Sequence, residues 1–190
     1  MDTRQEILRV ARQVFSELGY ERTTFQEIAT RAGLTRPAVN HYFQDKAALY
    51  RALFDSVQES VVGASVEQAV AQETLPGRLS AFLEAIVRID SRDRSFARFM
   101  AASVLDGYRH ESLRGSTLEQ IEQVREFVRQ ALGAAVESGE VRENIDIPAV
   151  TEMIVAVLWG MALYAGFVGT HDQMEEVVSQ FSRLIAGVLW

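Results

Sequence analysis

The sequence predicts an all-helical protein of about nine helices: an N-terminal three-helix unit holding a helix-turn-helix, then a larger helical part. Three observations carry this. Apolar residues recur three and four apart along nearly the whole chain, no stretch alternates long enough for a strand, and the 190 residues include only three prolines. A hydrophobic fraction of 48% is ample for a sizeable core. The division is placed near residue 60, giving parts 1–60 and 61–190.

The first helix is predicted from about Thr3 to Leu18, with Ile7, Ala11, Val14, Phe15 and Leu18 as its buried stripe and Gly19 closing it. Thr24 and Glu27 have the spacing of a capping box and open a short second helix whose apolar face is Phe25, Ile28, Ala29 and Ala32. Ala29 is small, as a close helix crossing requires. Gly33 supplies the turn, Leu34 fills the gap between the helices, and Thr35 caps a third helix with Pro37 in its first turn. Val39 and Phe43 anchor that helix, which leaves Arg36, Pro37, Ala38, Asn40, His41 and Tyr42 facing outward. Asp45 caps a long fourth helix carrying Leu49, Leu53, Val57 and Val61 and fraying near Gln72, a natural mechanical link between the two parts.

Beyond it, Leu75-Pro76-Gly77 reads as a break. A fifth helix shows Leu79, Phe82, Leu83, Ile86 and Ile89, and Asp90 to Arg94 form a polar connector. A sixth shows Phe96, Phe99, Met100 and Ser103 and ends at Asp106-Gly107. A seventh spans about Ser116 to Glu137, with Ile121, Val124, Val128, Leu132 and Ala135 on one face. Ser138-Gly139-Glu140 turns the chain, and Asp146 and Pro148 open the eighth. Met153 to Thr170 holds no charge over eighteen residues, the length of a membrane span. Gly160, Gly166, Gly169 and the lack of a basic flank favour a buried interface helix instead, so no membrane partner is expected. A ninth helix, about Gln173 to Leu189, carries Val177, Phe181, Leu184, Ile185 and Val188.

The segment 24–43 is two short helices joined by a tight turn, and an outward face of Arg, Asn and His suits the major groove of DNA. Arg36 has the geometry for guanine, Asn40 for adenine, and Ala38 for a thymine methyl. The flanking pattern extends the signal. Ile7-Leu8, Ala11, Phe15, Leu18-Gly19-Tyr20, Thr23-Thr24, Ile28-Ala29, Ala32-Gly33-Leu34-Thr35, Phe43, Lys46 and Leu49 stand in register across these helices. Through them Thr3 to Phe54 resembles the DNA-binding domain of the TetR (tetracycline-repressor-like) family of bacterial one-component regulators. The resemblance implies a homodimeric regulator, most simply a repressor, on a near-palindromic double-stranded operator, with Thr24, Tyr42 and Lys46 at phosphate-contacting positions beside Thr35. Many members have Tyr where this chain has Asn40, and His where it has Tyr42, so base preference is expected to differ. The resemblance further implies a C-terminal ligand-binding and dimerisation domain. Its last two helices would pair with their copies through Ala156, Gly160, Phe181, Leu184 and Val188, with Ala165 also small enough for close approach. A small-molecule cavity would lie among the fourth to eighth helices, and ligand would tilt the fourth helix. Phe82, Ile86, Phe96, Phe99, Met100, Phe127 and Tyr164 are its candidate walls, with Ser103, Tyr108 and Tyr164 as orienting polar groups. Such walls suit a hydrophobic or amphipathic effector and disfavour a nucleotide.

Charge distribution fits. Residues 1–50 carry seven basic and six acidic side chains, whereas 51–190 carry twelve and twenty, so the net charge of −7 belongs to the second part. The single lysine, Lys46, follows the candidate recognition helix. No cysteine is present, which excludes disulfides and Cys-ligated zinc, and the N-terminus has no apolar signal region, so a cytoplasmic location is expected. An enzyme is the first rival. Three histidines, none preceded by Glu at the di-iron spacing, and no nucleophile elbow or phosphate loop argue against catalysis, metal or cofactor. A second rival is a helical interaction module that does not bind DNA, to which the acidity and Asn40 lend some weight.

Overall fold

A computed structural model describes residues 2–57, 63–90 and 94–187. Val61, most of the connector after Asp90, and Val188 with Leu189 lie outside these residues. The order is α1 (Thr3–Arg22), α2 (Phe25–Arg31), α3 (Arg36–Tyr42), α4 (Lys46–Val57), α5 (Ala64–Val70), α6 (Leu75–Asp90), α7 (Ser95–Arg109), α8 (Glu111–Glu137), α9 (Ile147–Leu163), a π-helical turn (Tyr164–Val168) and α10 (His171–Ile185). No strand occurs among the described residues.

Several boundaries differ from the sequence expectation. Gly19 does not end α1. It kinks the helix at φ 73°, and one further turn follows to Arg22. The fourth helix of the sequence reading corresponds to two described elements, α4 and α5. Pro76 and Gly77 sit in the first turn of α6, where Pro lacks a donor that would be unpaired anyway, and Thr74 Oγ1 accepts from the Gly77 N–H at 3.2 Å. Asp106 and Gly107 lie inside α7, and α8 begins at Glu111, five residues before the expected Ser116. Gly107 marks a close crossing: a Cβ there would stand 2.3 Å from Thr117 Oγ1 of α8.

Two apolar cores form. The first joins α1 to α4, and it also takes in Phe96, Phe99 and Met100 of α7 and Leu113 of α8. The second joins α5, α6, α8, α9 and α10 around Phe82, Val128, Leu132 and Met161. Ile86 and Trp159 pack against both. The N-terminal unit therefore shares its core with α7.

The span Ile147–Val168 is long and apolar enough to cross a membrane, yet only 28% of its most apolar window is buried. One face packs inward through Ile154, Val155, Leu158 and Met161, while Met153 (59%), Leu163 (52%) and Phe167 (53%) stay exposed on the other. Gly166 fixes the inner face: a Cβ there would meet Arg98 Cα at 2.9 Å. Arg98 Nε donates to Gly166 O at 2.7 Å, and Arg94 donates to the carbonyls of Ala165 and Gly169, so α7 holds the carbonyls of the π turn.

Candidate functional site

The helix-turn-helix is built by local chemistry. Thr24 Oγ1 accepts from the Glu27 N–H at 3.2 Å, and Thr35 Oγ1 accepts from the Ala38 N–H at 3.3 Å, so each short helix is capped by the threonine expected. The reciprocal half of the Thr24–Glu27 capping box is absent, because the Glu27 carboxylate accepts from Arg31 Nε at 2.7 Å instead. Gly33 has φ 65°, which glycine adopts without a Cβ penalty. The turn closes with the Leu34 N–H donating to Ala29 O at 2.8 Å. Ala29 and Val39 are fully buried and Phe43 nearly so, which seats α3 across α2. Arg36, Pro37, Asn40, His41 and Tyr42 project into solvent and Ala38 is half-buried. These six thus surround the solvent side of a capped helix anchored through Val39.

Lys46 is more than a surface charge. Its Nζ donates to Tyr20 O at 2.7 Å and to Glu21 O at 3.1 Å, and lies 4.4 Å from the Tyr20 ring centroid. It holds the last turn of α1 against the start of α4. An ammonium has three donors, so one remains for an outside acceptor.

A second candidate site is an apolar cavity of about 80 Å³ between α6, α7, α8, α9 and α10. Of the residues expected in its wall, Phe82, Ile86, Phe96 and Met100 are there. The others are elsewhere. Phe99 is 1% exposed in the first core, in ring contact with Tyr50 and Phe54. Phe127 stacks on Phe82, centroids 4.9 Å apart, outside the cavity wall. Ser103 is fully buried and donates to Met100 O at 2.7 Å. Tyr108 is 79% exposed, and Tyr164 sits under the backbone of Gly169. The wall also holds Trp159 and Met161 near the C-terminal end of α9 and, after it, Ala165, which the sequence reading had placed at the dimer interface, together with His171 and Met174 of α10. The uncharged stretch from Met153 was the signal available for the first three.

Between the two sites lies a buried polar junction. Tyr50 Oη of α4 donates to Asp106 Oδ2 of α7 at 2.9 Å. Arg12 Nε of α1 donates to Ser95 Oγ at the start of α7 at 2.9 Å. His110, the single residue between α7 and α8, packs on the Tyr20 ring, and its Nε2 lies 3.1 Å from the Glu21 carboxylate in a direction that makes no hydrogen bond. Burial raises the Asp106 carboxyl above its ordinary range, against the lowering effects of the Tyr50 hydroxyl, His110 and Arg109. Burial and the Asp106 charge also push the Tyr50 phenol far up. A carboxyl raised on folding contributes fully to stability below its unfolded pKa, and that contribution is lost as pH rises through the folded one. Asp106→Asn keeps an acceptor for Tyr50 and carries no charge. It is expected to be at least as stable as the parent at neutral pH and to lose part of the decline in stability above the ordinary carboxylate range. Thermal melts across acid to neutral pH check this, and a variant clearly less stable at neutral pH would contradict it.

Comparison with known proteins agrees with this geometry. The profile "Bacterial regulatory proteins, tetR family" matches residues 7–53, and "Tetracyclin repressor-like, C-terminal domain" matches residues 70–181, more than half of the chain. The chain belongs to the tetR family of bacterial regulatory proteins. The regulator SrpR of Pseudomonas putida is 25% identical over 191 residues, covering 100% of this chain and 84% of that protein. The repressor AcnR of Corynebacterium diphtheriae is 26% identical over 175 residues, 92% of this chain and 87% of its own. TtgR of Pseudomonas putida is 42% identical, but over 59 residues, 31% of this chain and 28% of that protein. Among solved structures, FadR of Bacillus subtilis in complex with stearoyl-CoA superposes with TM-score 0.80 at 18% identity, covering 98% of this chain and 99% of that one. PfmR of Thermus thermophilus does so with TM-score 0.76 at 24% identity, covering 97% and 98%. These two share the fold. As a tetR-family protein the chain is a helix-turn-helix transcriptional regulator rather than an enzyme.

Proposed function

We propose that this tetR-family regulator is a cytoplasmic homodimeric repressor that sits on a near-palindromic operator and leaves it when a small hydrophobic or amphipathic ligand enters the cavity. Residues 1–60 act as the reading head and 61–190 as the effector-binding and dimerisation part. The observation that carries the release step is α7. Phe96 and Met100 belong to the cavity wall and to the first core at once, while Ser95 and Asp106 bond to α1 and α4. The cavity, about 80 Å³, is smaller than the ~150 Å³ void known to hold benzene in another protein. A ligand of that size or larger must widen it, and widening displaces side chains on which the reading head is packed. The ligand then favours the arrangement in which the cavity is open, and DNA the other. Stearoyl-CoA, present in the FadR structure, makes acyl compounds one class to try here. The experiment is operator release measured across a panel of lipids, aromatic compounds, sugars and nucleotides. Release by nucleotides or sugar phosphates with no response to any apolar compound would overturn the effector reading.

For DNA, the reading is that Arg36, Asn40 and Ala38 of α3 read sequence, supported by Pro37 and His41; the exposure of Arg36 and Asn40 supports it. Thr24, Thr35, Tyr42 and the remaining donor of Lys46 take phosphates. Two such helices, one from each protomer, enter successive major grooves. Arg36→Ala is expected to cost ~1–3 kcal/mol on the operator and to relax preference at one base pair per half-site. Selection of bound sequences from a random pool by parent and variant checks it. Unchanged base preference would refute the assignment.

A further inference from the structure

The cavity's polar chemistry points to the kind of ligand it takes, on the reading that the cavity is the effector site. Its wall is almost wholly apolar, and the polar side chains expected to orient a ligand are absent from it: Ser103 bonds to Met100 O, and Tyr108 and Tyr164 lie elsewhere. The other polar side chains that reach the wall each have a protein group close to a polar atom. Arg94 donates to the carbonyls of Ala165 and Gly169. Thr170 Oγ1 accepts from the Gln173 N–H at 3.2 Å. His171 Nε2 lies 3.3 Å from the Glu175 carboxylate. One wall residue differs. Trp159 carries a buried Nε1–H with no hydrogen-bond partner. Another buried atom without a partner, Gln120 Oε1, belongs to a residue outside the wall whose Nε2 donates to Met100 Sδ.

An indole N–H is a donor only, and a buried donor left unpaired is destabilising. A ligand acceptor would recover that cost. A carboxylate or phosphate would be disfavoured there, because the guanidinium of Arg94 is already held by the carbonyls of Ala165 and Gly169 and a buried anion needs converging partners. We infer that Trp159 becomes the specificity-determining donor when a ligand widens the cavity and uncovers Nε1, which is otherwise closed to solvent, and that the effector is an uncharged, mostly apolar molecule with one hydrogen-bond acceptor, such as a ketone, ester or lactone. Hydrocarbon of the same shape fills the same space without that bond.

The test uses the full-length protein and two probes of nearly equal shape, acetophenone and α-methylstyrene, in which a methylene replaces the carbonyl oxygen. Trp159→Phe keeps an aromatic ring and removes the donor. Affinity for acetophenone is expected to fall about tenfold in the variant, the weight of one buried hydrogen bond, while that for α-methylstyrene changes little. A second measurement does not depend on the variant's folding. The chain has two tryptophans, Trp159 and Trp190, so Trp190→Phe assigns the two indole N–H resonances. In the otherwise unaltered protein, acetophenone should move the Trp159 resonance downfield and α-methylstyrene should not. Equal binding of both probes with an unmoved indole resonance, or an equal loss of both in the variant, would sink the role of Trp159 and leave the effector cavity standing. Failure of both probes to bind, with no response to any apolar compound of the panel, would remove the cavity reading as well.

Discussion

Gly160→Arg is expected to give a stable protein that sediments as a monomer and binds operator ~10²–10⁴-fold more weakly, the factor set by losing the second linked reading head. The substitution is clean within one protomer. Gly160 is exposed, and nothing stands within 4 Å of where its Cβ would lie. Replacing glycine inside a helix even favours the helix by about 1 kcal/mol. What changes is the outer strip of α9 and the π turn, where Met153, Ala156, Val157, Gly160 and Phe167 follow one another at helical spacing and are exposed. So large an apolar strip is uncommon on a monomer, and Leu184 of α10, 38% exposed, is a further apolar side chain at this end of the chain. Phe181, by contrast, is half-buried against the second core and contributes to this surface only in part. In the proposed dimer the strip meets its copy. An arginine there would be buried without a partner, a cost of several kcal/mol. Analytical ultracentrifugation at micromolar concentration and a mobility-shift titration read the two consequences. A dimer that persists with undiminished operator affinity would refute the interface.

Phe99→Ala is expected to destabilise the protein by ~3–5 kcal/mol, the usual cost of emptying a buried phenyl site. The ring is 1% exposed, with centroids 5.1 Å from Tyr50 and 5.2 Å from Phe54. Both partners belong to α4, so the loss should be felt in the N-terminal unit although Phe99 lies in the C-terminal part. A residue lining the proposed effector cavity would behave otherwise: truncation would enlarge the cavity and alter ligand affinity at modest cost in stability. Urea denaturation at fixed protein concentration, followed by hydrogen exchange in α1 and α4, separates the two. A loss below about 1 kcal/mol would mean that the N-terminal helices do not depend on α7 for their core.

The helix-turn-helix was legible because every device in it is local. Two threonine caps, a glycine at positive φ and apolar residues three and four apart each act within a few residues, so Thr24, Gly33, Thr35, Val39 and Phe43 announce their roles in sequence order. The same locality misled at Asp106-Gly107. Asp and Gly punctuate helices often enough to suggest an end, but here Gly107 permits α8 to cross and Asp106 receives the Tyr50 hydroxyl. Which of these applies depends on a residue ten positions away in one case and fifty-six in the other.

By itself, then, the sequence determined the helical class, the helix-turn-helix with its exposed α3 face, and an uncharged apolar stretch after Met153. Periodicity reports that a side chain is buried and on which side of its own helix; it carries no information about what lies opposite. Helix α7 is apolar on two sides, and only the tertiary structure assigned Phe99 and Ser103 away from the cavity while giving Phe96 and Met100 to the cavity and the first core together. The structure likewise keeps Ser103 and the tyrosines out of the cavity wall and leaves Trp159 Nε1 without a partner, because hydrogen-bond satisfaction is settled by neighbours in space. It also joined the N-terminal helices to α7 and α8 through one shared core, since burying an apolar face requires a second element and the chain alone does not say which.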